Sequence, residues 1–165
     1  DNYLAEALGR MAALKTGREG SFDGAAAAVE AAVSGLGVNT AGMVLADVSG
    51  LGSGTEISAL QLASAVRAAL TSPDSSVRDL PYALPVAGLS GTLASRFAGD
   101  TPAAGLVRAK TGTLFAVTSL TGFVTDADGR LLSFAIVANG LENNTAQARA
   151  AVDAAAAVLA GCGCR

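Results

Sequence analysis

The sequence predicts a mixed fold, α+β or layered α/β, in which helices flank a small antiparallel sheet. Apolar residues recur at helical spacing through most of the first 100 residues, whereas three extended segments follow one another after Pro102. Turn residues at 126–129 join the last two of these segments, which indicates an antiparallel hairpin. Helices followed by consecutive strands and a closing helix are typical of such layered domains.

The first part of the chain, residues 1–100, is predicted to be mainly helical. An amphipathic helix over residues 3–14 is predicted from five apolar residues at helical spacing: Leu4, Ala7, Leu8, Met11 and Leu14. Asp1 and Asn2 precede it, where an N-cap is expected. An alanine-rich helix over residues 23–36 follows and is closed by glycines.

Irregular segments interrupt these helices. A short extended run is expected over residues 42–48 and a glycine-rich loop over 49–54. The next helix would be capped by Thr55 or Ser58. Three prolines then punctuate an irregular connection, which leads to a small helix around residues 92–97.

The second part, residues 101–165, is predicted to hold the sheet and the last helix. Strands are expected over residues 106–114, 117–125 and 131–138, and a helix over 146–159. The third strand is apolar on both faces, so we expect helices to cover both of its sides. A three-stranded sheet also has edges that must be covered, and strands from another segment would do so.

Composition excludes several kinds of function. Of the 165 residues, 51% are hydrophobic and 15% are charged, with a net charge of −3, which argues against disorder and against a nucleic-acid-binding surface. The absence of histidine excludes Ser-His-Asp and Cys-His catalysis and histidine-ligated metals.

The longest apolar runs are far shorter than the roughly 20 residues that span a bilayer. Cys162 and Cys164 are too few to bind zinc and are expected to be thiols of a frayed tail. No metal or cofactor is predicted.

The tetrapeptide Lys110-Thr111-Gly112-Thr113 has a clear chemical logic. An ammonium beside two hydroxyls, on a strand where glycine allows close approach, forms a good receptor for a carboxylate. Backbone N–H groups beyond the glycine can face a developing oxyanion. Taken alone, so short a match more often marks a solvated strand end than a binding site.

Further stretches of the sequence give this tetrapeptide its context. Several stretches within residues 1–140 resemble the D-alanyl-D-alanine carboxypeptidase/endopeptidase family typified by class C low-molecular-mass penicillin-binding proteins. They follow one another in the same order as in that family. The stretches are residues 1–6 (Asp-Asn-Tyr-Leu-Ala-Glu), 47–51 (Asp-Val-Ser-Gly-Leu), 84–93 (Leu-Pro-Val-Ala-Gly-Leu-Ser-Gly-Thr-Leu) and 107–114 (Val-Arg-Ala-Lys-Thr-Gly-Thr-Leu), with the neighbouring strand at 120–123 (Leu-Thr-Gly-Phe).

This resemblance implies a penicillin-binding-protein/β-lactamase-like transpeptidase fold and a serine peptidase that acts through an acyl-enzyme. It implies no cofactor, with peptidoglycan peptides as substrates and β-lactams as inhibitors, at a site outside the cytoplasmic membrane. The implied catalytic residues are Asn2, Lys110 and Thr113, and the implied substrate-binding residues are Thr111, Gly112, Ser49, Gly50 and Leu51.

Each of these residues has an implied role. Asn2 would contact the substrate amide, and Lys110 would supply positive potential for the terminal carboxylate and the serine hydroxyl. The hydroxyls of Thr111 and Thr113 would bind that carboxylate, and the N–H of Thr113 would be half of an oxyanion hole. The segment 49–51 would line the pocket for the substrate side chain.

The nucleophile of the family is missing from this chain. It belongs to a Ser-x-x-Lys motif, but the residues three places before Lys15 and Lys110 are Ala12 and Val107. The serine of the family's Ser-Asp-Asn motif would directly precede Asp1. We therefore expect this chain to be the C-terminal part of the enzyme, lacking the N-terminal strands and the nucleophile helix. The partner that supplies Ser-x-x-Lys would be the N-terminal part of the same protein.

Several questions remain open from the sequence. Asn2 could act only as a helix N-cap, and Gly52-Ser53 stand where relatives often have Ser-Arg, which questions recognition of an acidic group on the peptide stem. The glycines at 50, 52 and 54 suggest a dinucleotide-binding turn, but their spacing is wrong for one. The motifs are also compatible with a serine β-lactamase-like hydrolase and with a non-catalytic peptidoglycan-binding remnant.

Overall fold

The computed structural model describes residues 1–97, 99 and 101–163. The chain forms two compact units, the first over Asp1–Gln61 and the second from Leu62 onwards. None of the helices in the described part of the chain is long and apolar enough to cross a membrane.

Two helices that meet through small residues form most of the first unit. Helix α1 spans Asn2–Lys15 and helix α2 spans Phe22–Gly35, close to the predicted limits. Ser21 caps α2 by accepting a hydrogen bond from the N–H of Gly24 at 3.1 Å. The buried positions of both helices are glycine or alanine, which lets the two backbones approach closely: Gly9, Ala13, Ala25, Ala26 and Ala28.

The rest of this unit is an irregular segment that leads to helix α3, Ala59–Leu70. The extended run predicted at 42–48 is reduced to one antiparallel bridge, between Val44 and Glu56. Ser58 and Gln61 form a reciprocal cap at the start of α3: the Ser58 hydroxyl accepts from the N–H of Gln61 at 3.1 Å, and Gln61 Oε1 accepts from the N–H of Ser58 at 2.9 Å. Of the two predicted caps, Ser58 is the correct one.

The second unit contains a three-stranded antiparallel sheet. After the short helix α4, Ser75–Arg78, and two 3-10 turns at Leu80–Ala83 and Gly91–Leu93, the chain forms three strands and a last helix. The strands are β1 (Arg108–Leu114), β2 (Val117–Thr125) and β3 (Leu131–Asn139), in the order β1-β2-β3, and helix α5 is Thr145–Gly161. The predicted hairpin between β2 and β3 is confirmed, whereas the small helix predicted at 92–97 is only the 3-10 turn ending at Leu93.

The core of the second unit lies between the sheet and α5. Its fully buried side chains include Leu93, Val107, Leu120 and Val124, and α5 contributes residues four apart on one face. These α5 residues are Val152, Ala156 and Ala160. Residues with this spacing share a helix face, so α5 packs on the sheet along that face.

The outer strand β3 is less buried than its apolar sequence predicts. Phe134 is its buried residue, whereas Leu131 and Val137 are 47% and 36% exposed. The prediction that helices cover both sides of this strand is therefore wrong for the described residues. At the C-terminus, Cys162 is disulfide-bonded, so the expectation of a free thiol there is wrong too, and Cys164 lies outside the described residues.

Candidate active site

The Lys-Thr-Gly-Thr segment lies on β1, at the edge of the sheet. Residues 85–87 pair with the beginning of this edge: the N–H of Ala109 donates to Pro85 O at 3.0 Å, and the N–H of Ala87 donates to Val107 O at 2.9 Å. The N–H of Ala109 therefore points away from β2. Because N–H direction alternates along a strand, the N–H groups of Thr111 and Thr113 point to the same outer edge.

Lys110 presents its charge at the surface of this strand. Its side chain is exposed, and Nζ donates to the carbonyl oxygen of Thr111 at 2.6 Å. Arg108, two residues earlier on the same face of β1, donates from Nη1 to Tyr82 O at 2.9 Å. An ammonium has three donors, so Lys110 keeps two for a ligand, in a region that Arg108 also makes positive.

Two glycines allow the strands to meet closely beside this segment. A Cβ added at Gly112 would lie 2.3 Å from Ser119 Oγ, its partner across β1 and β2. A Cβ added at Gly122 would lie 2.0 Å from Arg108 O and 2.6 Å from Ala109 Cα. The first obstacle is a side-chain hydroxyl and the second is backbone, so Gly122 is the more constrained position.

Asn2 and the residues 49–51 lie in the other unit. Asp1 caps α1, because its Oδ1 accepts from the N–H of Leu4 at 3.1 Å, while Asn2 is the first residue of the helix and is exposed. The interpretation of Asn2 as the N-cap is therefore wrong. Asn2 and Glu6 are four residues apart and share a face of α1.

Glu6 connects α1 to the glycine-rich loop. Its Oε1 accepts from the N–H of Val48 at 3.1 Å and from the N–H of Ser49 at 2.8 Å. Gly9, one turn further along α1, provides room for the loop, since a Cβ there would lie 2.7 Å from Val48 Cγ2. Glu6 lies in the first of the matching stretches, residues 1–6, but was not among the predicted site residues.

The loop itself is organised around Asp47. Its two carboxylate oxygens accept from the N–H of Gly50 at 2.6 Å and from the N–H of Gly52 at 2.5 Å. Gly50 has φ +74°, which favours glycine, and Leu51 is 62% exposed at the loop's tip. Because Asp47 already occupies these N–H groups, they are not free to bind a pyrophosphate, which argues further against a dinucleotide site.

The candidate residues thus fall into two sets, one in each unit. The first contains Asn2, Ser49, Gly50 and Leu51, and the second contains Lys110, Thr111, Gly112 and Thr113. Sequence reasoning missed Thr92, whose Oγ1 shares a hydrogen bond with Thr111 Oγ1 at 3.2 Å. Within the described ranges, no cluster of three or more histidine, cysteine or acidic residues could hold a metal ion.

Comparisons with known proteins agree on one family. The model of the D-Ala-D-Ala carboxypeptidase 3 (S13) family matches residues 1–161. The chain is 44% identical to carboxypeptidase DacB of Mycolicibacterium smegmatis over 99% of its own length and 36% of that protein's. It is 40% identical to the D-alanyl-D-alanine carboxypeptidase of an Actinomadura strain, over 85% of this chain and 26% of that one.

A solved structure gives the same result for the fold. Penicillin binding protein 4 of Haemophilus influenzae, in complex with a β-lactam, superposes with a TM-score of 0.77 and 30% identity, over 85% of this chain and 32% of that chain. The predicted transpeptidase-type fold, with helices flanking an antiparallel sheet, is therefore confirmed. The chain spans about a third of the length of the relatives it matches.

Proposed function

The chain belongs to the D-Ala-D-Ala carboxypeptidase 3 (S13) family, and from that membership we propose that it forms part of the active site of a serine-type D-Ala-D-Ala carboxypeptidase/endopeptidase. The substrate is the stem peptide of peptidoglycan, the reaction passes through an acyl-enzyme, and β-lactams acylate the same serine. Because peptidoglycan lies outside the cytoplasmic membrane, the protein acts there.

The outer edge of β1 is the observation that carries the proposal. It combines an exposed ammonium, a threonine hydroxyl and outward N–H groups within four residues. Lys110 and Thr111 bind the terminal carboxylate of the peptide, since charge-assisted hydrogen bonds are the strong ones. The N–H of Thr113 then donates to the oxyanion that forms as the serine attacks, which lowers the barrier to acylation.

Family membership also implies roles for Asn2 and for the loop residues 49–51 of the first unit. Asn2 is the candidate contact for the substrate amide, and the loop is the candidate lining for the substrate side chain. Glu6 keeps α1 and this loop in a fixed relation through its two hydrogen bonds. The absence of an arginine after Leu51 removes one means of binding an acidic group on the stem peptide.

The nucleophile comes from a segment outside this sequence. Neither lysine here completes a Ser-x-x-Lys motif, and the chain matches about a third of its relatives' length. Five apolar side chains of α1 are between 55% and 91% exposed: Tyr3, Leu4, Leu8, Met11 and Leu14. Exposed apolar surface of this extent marks an interaction site, and we assign its cover to the N-terminal part of the same protein, which also completes the sheet beside β3.

Acylation by benzylpenicillin tests this function. We expect denaturing mass spectrometry of the complete protein, meaning this chain with the segment that carries Ser-x-x-Lys, to show a long-lived penicilloyl adduct on that segment. Lys110→Gln should slow acylation by about two orders of magnitude, the usual effect of removing one group that stabilises the transition state. Lys15→Gln is the matched control, because Lys15 is the only other lysine and ends α1.

Other results of the benzylpenicillin experiment would indicate a different function. Fast release of penicilloate would indicate a β-lactamase-like hydrolase, and no adduct on any polypeptide would indicate a non-catalytic remnant. The need for a partner segment has its own test. If residues 1–165 alone form a monodisperse monomer that unfolds cooperatively, the proposed cover of α1 and β3 is wrong.

A further inference from the structure

The hydroxyl of Thr111 already has a hydrogen-bond partner outside its own strand. Thr111 Oγ1 and Thr92 Oγ1 are 3.2 Å apart and share a hydrogen bond, in which either hydroxyl can be the donor. A hydroxyl has one proton to donate and two lone pairs that accept. Thr111 therefore cannot donate to Thr92 and to a substrate carboxylate at the same time, so Thr92 must be the donor of the shared bond when a carboxylate is bound.

Thr92 is held firmly in place by the residues around it. The next residue, Leu93, is fully buried in the core, and its carbonyl oxygen accepts from the N–H of Gly88 at 3.0 Å. Arg96, three residues beyond Leu93, forms a bidentate ion pair with Asp153 of α5, with Nε 3.1 Å from both carboxylate oxygens. The Thr92 hydroxyl is thus presented to β1 from a turn fixed on the core and on α5.

We propose that Thr92 is a positioning residue for the substrate's carboxylate, an inference that rests on the function proposed above. When the carboxylate is bound, the hydrogen bond between the two threonines runs in one direction only. Thr92 donates to Thr111, and Thr111 directs its single proton to the carboxylate. Only hydroxyl protons rotate, so the oxygen atoms keep their positions.

The physical advantage is orientation of the Thr111 proton. A donor that fills one lone pair of Thr111 leaves fewer directions for its proton, and hydrogen bonds in a chain polarise one another. The last bond of the chain ends on a charged oxygen, where hydrogen bonds are strongest. A neutral ligand at the same place is stabilised much less by this series of hydrogen bonds. The difference between charged and neutral ligands therefore distinguishes a positioning role of Thr92 from a structural one.

Two probes that differ only in this charge test the proposal. The rate of acylation of the complete protein is measured with benzylpenicillin and with its methyl ester, which lacks the carboxylate charge. Thr92→Val keeps the shape of the side chain but removes its hydroxyl. We expect it to slow acylation by the acid roughly tenfold, the usual worth of one such hydrogen bond, and to leave the rate with the ester unchanged. Thr92→Ser, which restores a hydroxyl, should recover the wild-type rate with the acid.

Ser90→Ala is the control from the same segment. Ser90 Oγ accepts from the N–H of Val86 at 3.0 Å, so its loss disturbs the turn and should affect the acid and the ester equally. The positioning role is overturned if the wild-type protein is acylated and Thr92→Val either slows acylation by the acid and by the ester to the same extent or slows neither. If the wild-type protein forms no adduct with either probe, the proposed function fails, and the role of Thr92 fails with it.

Discussion

Replacing Gly122 by alanine should separate β1 from β2 at the start of the Lys-Thr-Gly-Thr segment. The added Cβ would lie 2.0 Å from Arg108 O and 2.6 Å from Ala109 Cα, whereas real Cβ contacts below 3.0 Å essentially never occur. Both obstacles are backbone atoms of β1. The strands must therefore move apart by about 1 Å at this point, because no side-chain rotation can relieve the contact.

The cost follows from the hydrogen bonds on either side of this position. Ala109 faces Gly122 in the register, and the neighbouring pairs are Arg108 with Phe123 and Lys110 with Thr121. Each ladder hydrogen bond contributes about 0.5–1.5 kcal/mol net, and the displacement weakens several of them. We expect Gly122→Ala to lower the free energy of unfolding by about 2–4 kcal/mol, a large effect for one methyl group.

Urea denaturation of the complete protein, followed by far-UV circular dichroism, measures this loss. Gly112→Ala is the comparison, since its Cβ would meet only Ser119 Oγ, at 2.3 Å, with Ser119 Cβ at an ordinary 3.6 Å. Rotation of that hydroxyl relieves the contact, so we expect a cost below about 1 kcal/mol, abolished when Ser119→Ala is added. Equal losses for the two glycine variants, or a stable Gly122→Ala protein, would refute the close approach of the strands.

Three further predictions concern single side chains. Glu6→Ala should lower stability by about 3 kcal/mol through loss of two charge-assisted hydrogen bonds to the loop, and Glu6→Gln by less; no change in urea denaturation for either variant would mean that the loop is held by other contacts. Ser58→Ala should cost about 1 kcal/mol by removing the cap of α3, which the same denaturation measures. Hydrogen bonds from Ser76 hold the pKa of Asp74 below its usual 3.8, so its carboxylate stabilises the folded chain above that pH, and the effect is lost as the pH falls through the folded-state pKa. An NMR titration of Asp74 with a midpoint at or above 3.8 would contradict this.

The elements with strong local patterns were predictable from the sequence. The apolar spacing of α1 and the β-branched residues of β2 predicted their limits to within one or two residues. The glycine-rich loop was also foreseen. Local pattern suffices for these elements because each is limited by its own propensities and by residues that cap or turn the chain.

Predictions that depended on the choice between neighbouring residues or on distant packing were wrong. Asp1 rather than Asn2 caps α1, since both residue types cap equally well and only the chain's path selects one. The apolar pattern of β3 indicated cover on both faces, yet Leu131 and Val137 are exposed. A pattern shows which side chains are suited to burial, but not whether a neighbouring segment is present to bury them.

The sequence by itself determined the types and order of the elements and the motifs that indicate the family, because these depend on residue types and their spacing along the chain. Only the tertiary structure decided which atoms meet. The hydrogen bond of Thr92 with Thr111, the hydrogen bond from Ser49 to Glu6, and the contact of Gly122 with the backbone of β1 join residues between 13 and 43 positions apart. Such contacts depend on how the chain returns on itself, and local spacing carries no information about that path.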